Sequence, residues 1–536
     1  MDEQKRLFLA IGLSLVILLV WQYFFLPKRP PRQVKKPPKI EKPQAERRAP
    51  QPQPAAPARE AGPFRQEVRA KRVTVDLGPV EAIFTSRGAA LEALLLKNYR
   101  NPDGSPLDLV LKKGGRERIL PLQLELGSLS DKVNSALYEA STENLALTPE
   151  RPQGSLTFRY GDGKGLSVLK RLTFHYNRYL IDVETEVIVP KGDLGGREYR
   201  VLWGPGLGKE KKIKGRGRGW YSEGPVSYVN GKRMEAKPEE GKPPIVHRGE
   251  LSWTGLQNKY YLAAFIPREK LTESHIRKRD GTLTVGLSLP YARKASFSLY
   301  AGPKESDRLK RAGNNLSEAI DYGWFSFVAK PLLYLLKLFY SMVGNWGWAI
   351  VILTAFIRIL FYPLTHKSMK SMQEMQKLQP KMKRIREIYK NDRQRMNQEM
   401  MALYREHKVN PMGGCLPMLL QIPVFFALYQ VLLQTIELRE APFIWWIKDL
   451  SAQDPYHIST ILMGLSMLLQ QKLTPTGTDP AQAKMMLAMP IIFTLMFIIY
   501  PVPSGLVVYW LINNVLSIGQ QLIMLRQGKL TVPAKG

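Results

Sequence analysis

The sequence predicts a polytopic α-helical membrane protein with six transmembrane helices and a large all-β sandwich domain outside the bilayer. Two observations favour this fold class. One apolar run lies at the N-terminus and five more lie beyond residue 344. The long stretch between them alternates apolar and polar positions in short runs, which is typical of strands with one buried face.

Composition excludes several classes of function. The single cysteine, Cys415, excludes a disulfide framework and a Cys-rich zinc or iron–sulfur site. The six histidines are scattered without metal-ligand spacing, so we expect no metal and no cofactor. The chain also lacks a Walker pattern, a nucleophile elbow and a Ser/His/Asp arrangement, so an enzyme is not expected.

The N-terminal block, residues 1–27, is predicted to be an uncleaved membrane anchor. Its apolar run Leu7–Leu26 has about the length that a hydrocarbon core of roughly 30 Å requires. The run ends in bulky aromatic residues rather than a small-x-small cleavage site, which argues against a removed signal peptide. Residues 28–63 are rich in Pro, Lys, Arg and Gln, and such a composition predicts an extended linker.

Residues 64–322 are predicted to form the β-sandwich domain. Alternating runs such as Arg72–Leu77 and Tyr179–Val187 are separated by turn residues, as in antiparallel sandwiches. The basic stretch 209–219 could bind phosphate, but a solvated hairpin loop is the favoured interpretation. A polar helix is expected over 305–322. An amphipathic helix over 323–342 is expected to lie at the membrane surface.

Residues 343–525 are predicted to form a membrane core of five spans. Loop charge sets the orientation, because the segment 365–414 carries twelve Lys/Arg against five Asp/Glu and the tail 526–536 is basic. Both are therefore placed in the cytoplasm, together with the N-terminus. The net acidic loop 437–456 and the sandwich are placed outside. The five spans are expected near 345–364, 416–436, 457–472, 485–500 and 503–525.

Arg358 lies inside an apolar run, where an arginine costs on the order of 2.5 to 3.5 kcal/mol. Its side chain could extend to the nearby headgroups, but a polar cavity is favoured because Thr354 lies four residues earlier on the same helical face. No span contains Asp or Glu. Polar residues elsewhere in the spans could line a groove or simply join helices: Gln421, Gln430, Gln434, Tyr509, Asn513, Ser517 and Gln520.

The cytoplasmic segment 366–408 is predicted to be an antiparallel helical hairpin with its turn at Asn391–Asp392 and a kink at Pro380. Methionines recur along it at helical spacing. They are interpreted first as the seam between the two helices and second as a surface for apolar segments of other proteins. The basic outer face suits anionic lipid or ribosomal RNA equally. The methionines are Met372, Met375, Met382, Met396 and Met400.

Several motifs resemble one family, the YidC-type membrane protein insertases with their Oxa-type mitochondrial and chloroplast relatives. Together they cover about the last 200 residues, and the anchor with a large outer domain is similar to the form found in bacteria with two membranes. The motifs are Gly344-Asn345-Trp346-Gly347, Arg358 with Tyr362-Pro363-Leu364-Thr365, Gln398 to Tyr404, Asn410 to Cys415, and Pro503-Ser504-Gly505-Leu506.

The resemblance implies an insertase and chaperone of the bacterial inner membrane that integrates newly made membrane proteins, called guests below, without nucleotide hydrolysis. It implies a five-helix core around a hydrophilic groove that is open to cytoplasm and lipid and closed on the periplasmic side. Nascent membrane proteins and Sec translocon components are the implied partners. Ribosome and anionic lipids are further candidates, and DNA is not. The short tail departs from the family pattern and weighs against ribosome docking through it.

The resemblance also implies which residues contact guests during insertion. Arg358, Thr354 and Tyr509 match groove positions of the family, and the polar residues Gln421, Gln430 and Asn513 of the other spans are expected to be further groove contacts. The hairpin methionines are expected to capture guests. The rival function is a secondary transporter or channel that uses Arg358 as an anion site, although five spans without a carboxylate fit this class poorly.

Overall fold

The computed structural model describes most of the chain beyond residue 69. The predicted anchor, the linker, the basic stretch 209–219, the motif 410–415 and the tail after Arg526 lie outside the described residues. The described residues are 70–101, 103–111, 119–189, 198–208, 224–268, 273–291, 294–407, 409, 416–473, 480–500 and 502–526.

Nineteen strands among the described residues form the first half of the molecule, and the predicted β-sandwich is confirmed. Alternation decides the faces: in β10, Leu180–Ile188, the apolar side chains Ile181, Val183 and Val187 point inwards and the charged ones outwards. The strands are β1 Arg72–Asp76, β2 Val80–Thr85, β3 Ala90–Arg100, β4 Pro106–Asp108, β5 Leu124–Glu125, β6 Glu139–Ala140, β7 Asn144–Ala146, β8 Gln153–Gly161, β9 Ser167–His175, β10 Leu180–Ile188, β11 Glu198–Trp203, β12 Gly224–Val229, β13 Lys232–Glu235, β14 Ile245–Arg248, β15 Leu251–Gln257, β16 Tyr261–Pro267, β17 Glu273–Arg279, β18 Thr282–Pro290 and β19 Ala295–Pro303.

The strands form three sheets. A nine-stranded sheet, ordered β13-β12-β15-β16-β19-β10-β9-β8-β6, carries a five-stranded sheet on each half, ordered β4-β3-β2-β1-β7 and β14-β17-β18-β11-β5. Phe84 of β2 packs against Phe158 and Phe174 of the large sheet. On the other half, the hydroxyls of Thr254 and Ser274 lie 2.6 Å apart and join β15 to β17. Face-to-face packing of this kind encloses the apolar core.

The polar helix predicted over 305–322 is wrong as a single element. A short α1, Ser130–Ser135, precedes it in the chain, and α2 covers only Ser306–Ala312. Gly313 then has φ +77°, and two asparagines follow in the left-handed region, which no α-helix can accommodate. A 3-10 turn, Leu316–Ala319, completes the segment.

The predicted amphipathic helix is α3, Ser326–Val343, which follows a 3-10 turn and ends at Gly344 with φ +65°. Its Lys337 ammonium pairs with Asp307 at 2.8 Å and Glu437 at 2.9 Å, so it connects the segment after the sandwich to the loop that follows Gln434. Residues Gly323–Val343 are also long and apolar enough to cross a membrane, judged by length and composition. A surface position for α3 therefore stays a prediction.

The first span of the core extends beyond its predicted end at residue 364. Helix α4 runs from Trp346 to Lys377, about 48 Å, because the hydrophobicity ends near Pro363 but nothing there stops the helix. The hairpin then consists of α5, Gln379–Ile388, and α6, Arg393–Glu406. The break lies at Leu378, and Pro380 begins α5 instead of kinking a longer helix.

Four further helices complete the core within the described part of the chain. By length and composition, α4 and α10 are long and apolar enough to span a membrane, and residues 421–434 and 487–499 form shorter apolar helical segments. The count of six spans therefore stays a prediction. The helices are α7 Leu416–Gln434, α8 Ile458–Leu473, α9 Pro480–Ile499 and α10 Ser504–Arg526.

Small and aromatic residues hold these helices together. A Cβ atom at Gly464 of α8 would lie 2.1 Å from the Thr494 hydroxyl of α9, so only glycine permits this approach. Trp510 of α10 contacts Phe425 of α7 and Phe497 of α9 with ring centroids 5.1 and 5.6 Å apart. Packing of this kind replaces the hydrophobic drive that a lipid solvent does not supply.

Candidate functional site in the helical core

Helix α10 has one polar face within an otherwise apolar segment. Tyr509, Asn513 and Ser517 are spaced by four residues, which places them on one side of the helix. Asn514 and Gln521 occupy a neighbouring side and are almost fully buried. The Asn514 amide donates to the hydroxyl of Ser466 in α8 at 3.0 Å, so this second side joins two helices.

The first polar side of α10 binds the guanidinium of Arg358 from α4. Its Nε donates to Asn513 Oδ1 at 2.9 Å, and its Nη2 donates to the Asn513 carbonyl oxygen at 2.9 Å. Nη2 also contacts the Ser517 hydroxyl. These acceptors are all neutral, and the half-buried cation has no carboxylate within bonding distance among the described residues. A buried charge without an opposite charge is costly, so this arrangement requires an explanation.

A second contact lies one turn away on the same face of α10. The Gln421 amide of α7 donates to the Tyr509 hydroxyl at 2.6 Å, and Tyr509 is 2% exposed. The structure thus brings together four of the predicted groove residues, from α4, α7 and α10. Asn513 and Tyr509 form the shared side of the cluster.

Thr354 and Gln430, also predicted to line the groove, are placed differently. Thr354 is 1% exposed, and its hydroxyl donates to the Ile350 carbonyl oxygen of its own helix at 2.6 Å. Its hydroxyl is therefore used within α4 and is not exposed to a groove. Gln430 lies nine residues after Gln421, which rotates it by about half a turn to the opposite side of α7.

Contacts along α7 confirm this rotation of Gln430. Phe426 stacks on Phe325, and the Gln434 amide donates to the Asp321 carbonyl oxygen, so this side faces the turn that leads into α3. The Gln430 Oε1 atom is enclosed without a hydrogen-bond partner among the described residues. The groove assignment of Gln430 is therefore corrected: spacing along a helix decides which polar residues can meet.

The sequence places Ser517 among the residues that could line a groove but does not assign it as a guest contact, and Asn514 and Gln521 are not singled out from the sequence. The signal for Ser517 was its position four residues after Asn513 and eight after Tyr509. Asn514 and Gln521 are seven residues apart, the spacing of residues on one helix face. These spacings separate the polar residues of α10 into the two sides that the structure shows.

The hairpin has its own apolar seam. Met382 of α5 is 5% exposed and packs with Leu378, Leu403 and Val409, and Met375 and Met400 pack against this cluster. The Asp392 carboxylate caps α6 by accepting from the backbone N–H of Arg395 at 3.0 Å. In this arrangement Met382 cannot receive a guest, because its thioether is enclosed. Met372 and Met396 are half-buried outside the seam.

The loop between α7 and α8 lies over the ends of two helices that form the cluster. The Asn345 side chain at the start of α4 donates to the carbonyl oxygens of Pro442 and Phe443 at 3.2 and 3.3 Å. The backbone N–H of Gly505 at the start of α10 donates to the Leu450 carbonyl oxygen at 2.9 Å. This end of the helix core is therefore closed by bonded loop residues.

Comparison with known proteins covers both halves of the chain. Residues 72–335 match the family model described as YidC periplasmic domain, and residues 338–531 match the one described as 60Kd inner membrane protein. The membrane protein insertase YidC of Syntrophus aciditrophicus is 40% identical over 98% of this chain and 99% of its own. That of Geotalea daltonii is 40% identical over 97% and 98%.

A solved structure of an active YidC insertase with its first transmembrane domain resolved aligns over 84% of this chain and 93% of its own, with 19% identity and a TM-score of 0.36. The sequence matches are decisive, since they span nearly the whole chain at high identity. The chain belongs to the YidC family of membrane protein insertases, which are inner membrane proteins and not enzymes.

Proposed function

We propose that this insertase admits the polar outer segment of a guest to the cluster of Arg358, Gln421, Tyr509 and Asn513 while the guest's apolar segment enters lipid. The observation that carries the proposal is the Arg358 guanidinium, whose hydrogen-bond partners among the described residues are all neutral groups of α10. Arginine stays charged in any protein environment. A guest carboxylate supplies the opposite charge that the site lacks, so part of its desolvation cost is offset.

The energetics of insertion require no nucleotide. Transfer of an apolar helix of about 20 residues into lipid is strongly favourable, at about 25 cal/mol per Å² of apolar surface. The obstacle is the polar segment that must cross with it, because each charge at the bilayer centre costs several kcal/mol. A protein that lowers this one barrier is sufficient. Arg358 is positioned to do so.

The direction of insertion follows from the proposed orientation. The basic hairpin and both termini lie in the cytoplasm, and the sandwich, over residues 64–322, lies in the periplasm. The bonded loop over the starts of α4 and α10 then closes the groove on the periplasmic side. Guests therefore enter from the cytoplasm and leave sideways into lipid.

The hairpin is proposed as the first contact of guests and of cytoplasmic partners. Ile388 and Met401 are exposed on its outside, and Met372 and Met396 lie beyond its seam. Its lysines and arginines suit anionic lipid or ribosomal RNA. The insertase is proposed to act alone on small guests and beside the Sec translocon on others.

The test is reconstitution of the full chain into liposomes, with insertion measured as protease protection of a small single-span guest. Two guests that differ only in having an acidic or a neutral outer segment are compared. Arg358→Ala is expected to reduce acidic-guest insertion by about tenfold and neutral-guest insertion by less than about twofold. Arg526→Ala, which removes a cation at the end of α10, is the matched control and is expected to have little effect.

Equal insertion of both guests by wild type and Arg358→Ala would refute the role of the guanidinium. Flux of small anions through the same liposomes tests the rival function. Flux that requires Arg358 and occurs without any guest insertion would favour the transporter or channel.

A further inference from the structure

The cluster around Arg358 shows two kinds of polar contact on one helix. Asn513 and Ser517 bind a cation from α4, and Asn513 is half-buried. Asn514, one residue along, binds the neutral hydroxyl of Ser466 in α8 and is 2% exposed. The first contact involves a charge and includes the half-buried Asn513 beside the buried Ser517, whereas the second is neutral and fully buried.

We propose that Asn513 and Ser517 form an exchangeable clasp that occupies Arg358 in place of a guest and thereby selects guests with acidic outer segments. The inference rests on the function proposed above, because it takes Arg358 as the guest-binding cation. The Asn513 amide oxygen, the Asn513 carbonyl oxygen and the Ser517 hydroxyl stand where oxygens of the guest would bind.

The chemistry of the clasp explains why it yields to carboxylates. The clasp offers the guanidinium only neutral acceptors, whereas a guest carboxylate brings the opposite charge and can accept two parallel hydrogen bonds from the planar fork. A guest carboxylate therefore outcompetes the neutral acceptors of α10. A neutral guest segment offers only amide and hydroxyl oxygens, which bind no better than the clasp does. Discrimination thus arises from what the guest must displace.

The clasp can also open without leaving buried groups unpaired. The Ser517 hydroxyl donates to the Asn513 carbonyl oxygen at 2.9 Å, so this carbonyl keeps a partner after Arg358 departs. The Asn513 side chain is half-buried and can bind water in a hydrated groove. Helix α10 remains attached to the core through the separate contact of Asn514 with Ser466. Release of Arg358 therefore does not dismantle the helix bundle.

The experiment converts the clasp into a permanent partner. Asn513→Asp keeps the shape of the side chain but places a carboxylate beside Arg358. This carboxylate binds the guanidinium too strongly for a guest to displace it. Acidic-guest insertion is expected to fall about as far as in Arg358→Ala, roughly tenfold, while neutral-guest insertion changes by less than about twofold. Ser517→Ala weakens the clasp, so acidic guests displace it more readily and their insertion is expected to rise by about twofold, while neutral-guest insertion changes less.

Controls separate the clasp from ordinary helix packing. Ser466→Ala removes the sealed neutral contact and is expected to change insertion of both guests by the same factor. Hydrogen exchange of α8 and α10 in the full chain checks that each variant is folded. Asn513→Cys and Asn514→Cys, each in a Cys415→Ser chain, give a second measurement: the Asn513→Cys variant is expected to form a disulfide with a cysteine in the outer segment of a trapped guest, and the Asn514→Cys variant is not.

The outcomes distinguish failure of this inference from failure of the function on which it rests. If Arg358→Ala has no effect on acidic guests, the proposed function fails. If Arg358→Ala impairs them but a folded Asn513→Asp inserts them as wild type does, only the clasp is overturned. A disulfide from 514 and none from 513 would overturn it as well.

Discussion

Lys170 in the sandwich and Arg358 in the helical core are buried or half-buried cations without a carboxylate partner among the described residues, and they differ in what holds them. The Lys170 ammonium, 1% exposed, donates to three backbone carbonyl oxygens, those of Gly88, Ala89 and Leu122, at 2.7 to 3.2 Å. Arg358 is held mainly by side chains of one neighbouring helix. Backbone acceptors from two loops cannot be exchanged, whereas side chains facing a groove can.

The two regions around these cations also differ in which side chains they bury. The sandwich buries apolar side chains and exposes charged ones, as water requires. The helical core buries Ser517 and Thr354, while Ile359, the residue next to Arg358, is 74% exposed. Lipid solvates apolar surface and rejects unpaired polar groups, so polar residues gather inside. A charge inside the helical core is therefore the exception that indicates function.

The largest expected effect separates the structural cation from the functional one. Lys170→Met leaves three buried carbonyl groups unpaired and is expected to destabilise the sandwich by about 3 kcal/mol. The guest preference of the folded fraction should not change. Hydrogen exchange of β8 to β10 in the full chain measures the stability. Lys71→Met, at an exposed ion pair with Glu143, is the control, with little loss of stability expected. A shift in guest preference for Lys170→Met would contradict the view that Lys170 is structural and Arg358 functional.

The second prediction concerns how each region is held together. Gly464→Ala forces α8 away from Thr494 of α9 and is expected to cost about 2 kcal/mol. In Gly519→Ala of α10, the new Cβ atom meets no other element within 4 Å in the described part of the chain, so the change is expected to be neutral or stabilising by up to about 1 kcal/mol. Thermal unfolding in detergent compares the two. Equal effects would mean that close helix approach does not stabilise the core.

The third prediction sharpens the comparison through pH. Burial lowers the pKa of Lys170 and of Lys304 from 10.5 to about 7. Between about pH 7 and 10.5 the unfolded chain binds more protons than the folded one, so stability of the sandwich rises with pH in this window. The expected slope is on the order of 1 kcal/mol per pH unit for each lysine. Hydrogen-exchange rates at pH 7 and 8.5, corrected for intrinsic exchange rates, measure this slope. In Lys170→Met the slope is expected to fall by about half, because one of the two lysines is removed.

The smallest expected effect comes from Arg358→Lys. Lysine keeps the charge but has no planar fork to bind the Asn513 side chain and carbonyl together. Acidic-guest insertion is expected to fall by about twofold and to keep its preference over neutral guests. A loss as large as that of Arg358→Ala would show that fork geometry, and not charge, is what guests require.

Much of the candidate site could be predicted because a polar residue in an apolar run is visible on its own. Arg358, Tyr509 and Asn513 were found in this way. Their pairing could not be predicted, since it depends on how α10 is rotated and placed against α4. Gln430 was misplaced for a related reason: its residue type fitted a groove, but its angle around α7 did not.

Element boundaries show the same limit. Hydropathy located the apolar part of α4 but not its end, because a helix can continue into water beyond the lipid. The division of the hairpin at Leu378 had no clear sequence signal besides Pro380. The end of α2 did have one, since Gly313 followed by two asparagines is a common helix stop. The alternating strands of the sandwich could be predicted because one face of each strand lies in the apolar core and the other faces water.

Helix α4 is continuous, so it connects the helical core directly to the hairpin. One rod carries Arg358 in the core and, about 28 Å further on, the attachment point of the hairpin at Lys377. Pro363 lies between them and removes one backbone hydrogen bond, which favours bending at that point. A bend of about 5° there displaces the far end by about 2 Å. Motion of the hairpin is thus absorbed in part by bending at Pro363, five residues beyond Arg358, before it reaches the guanidinium.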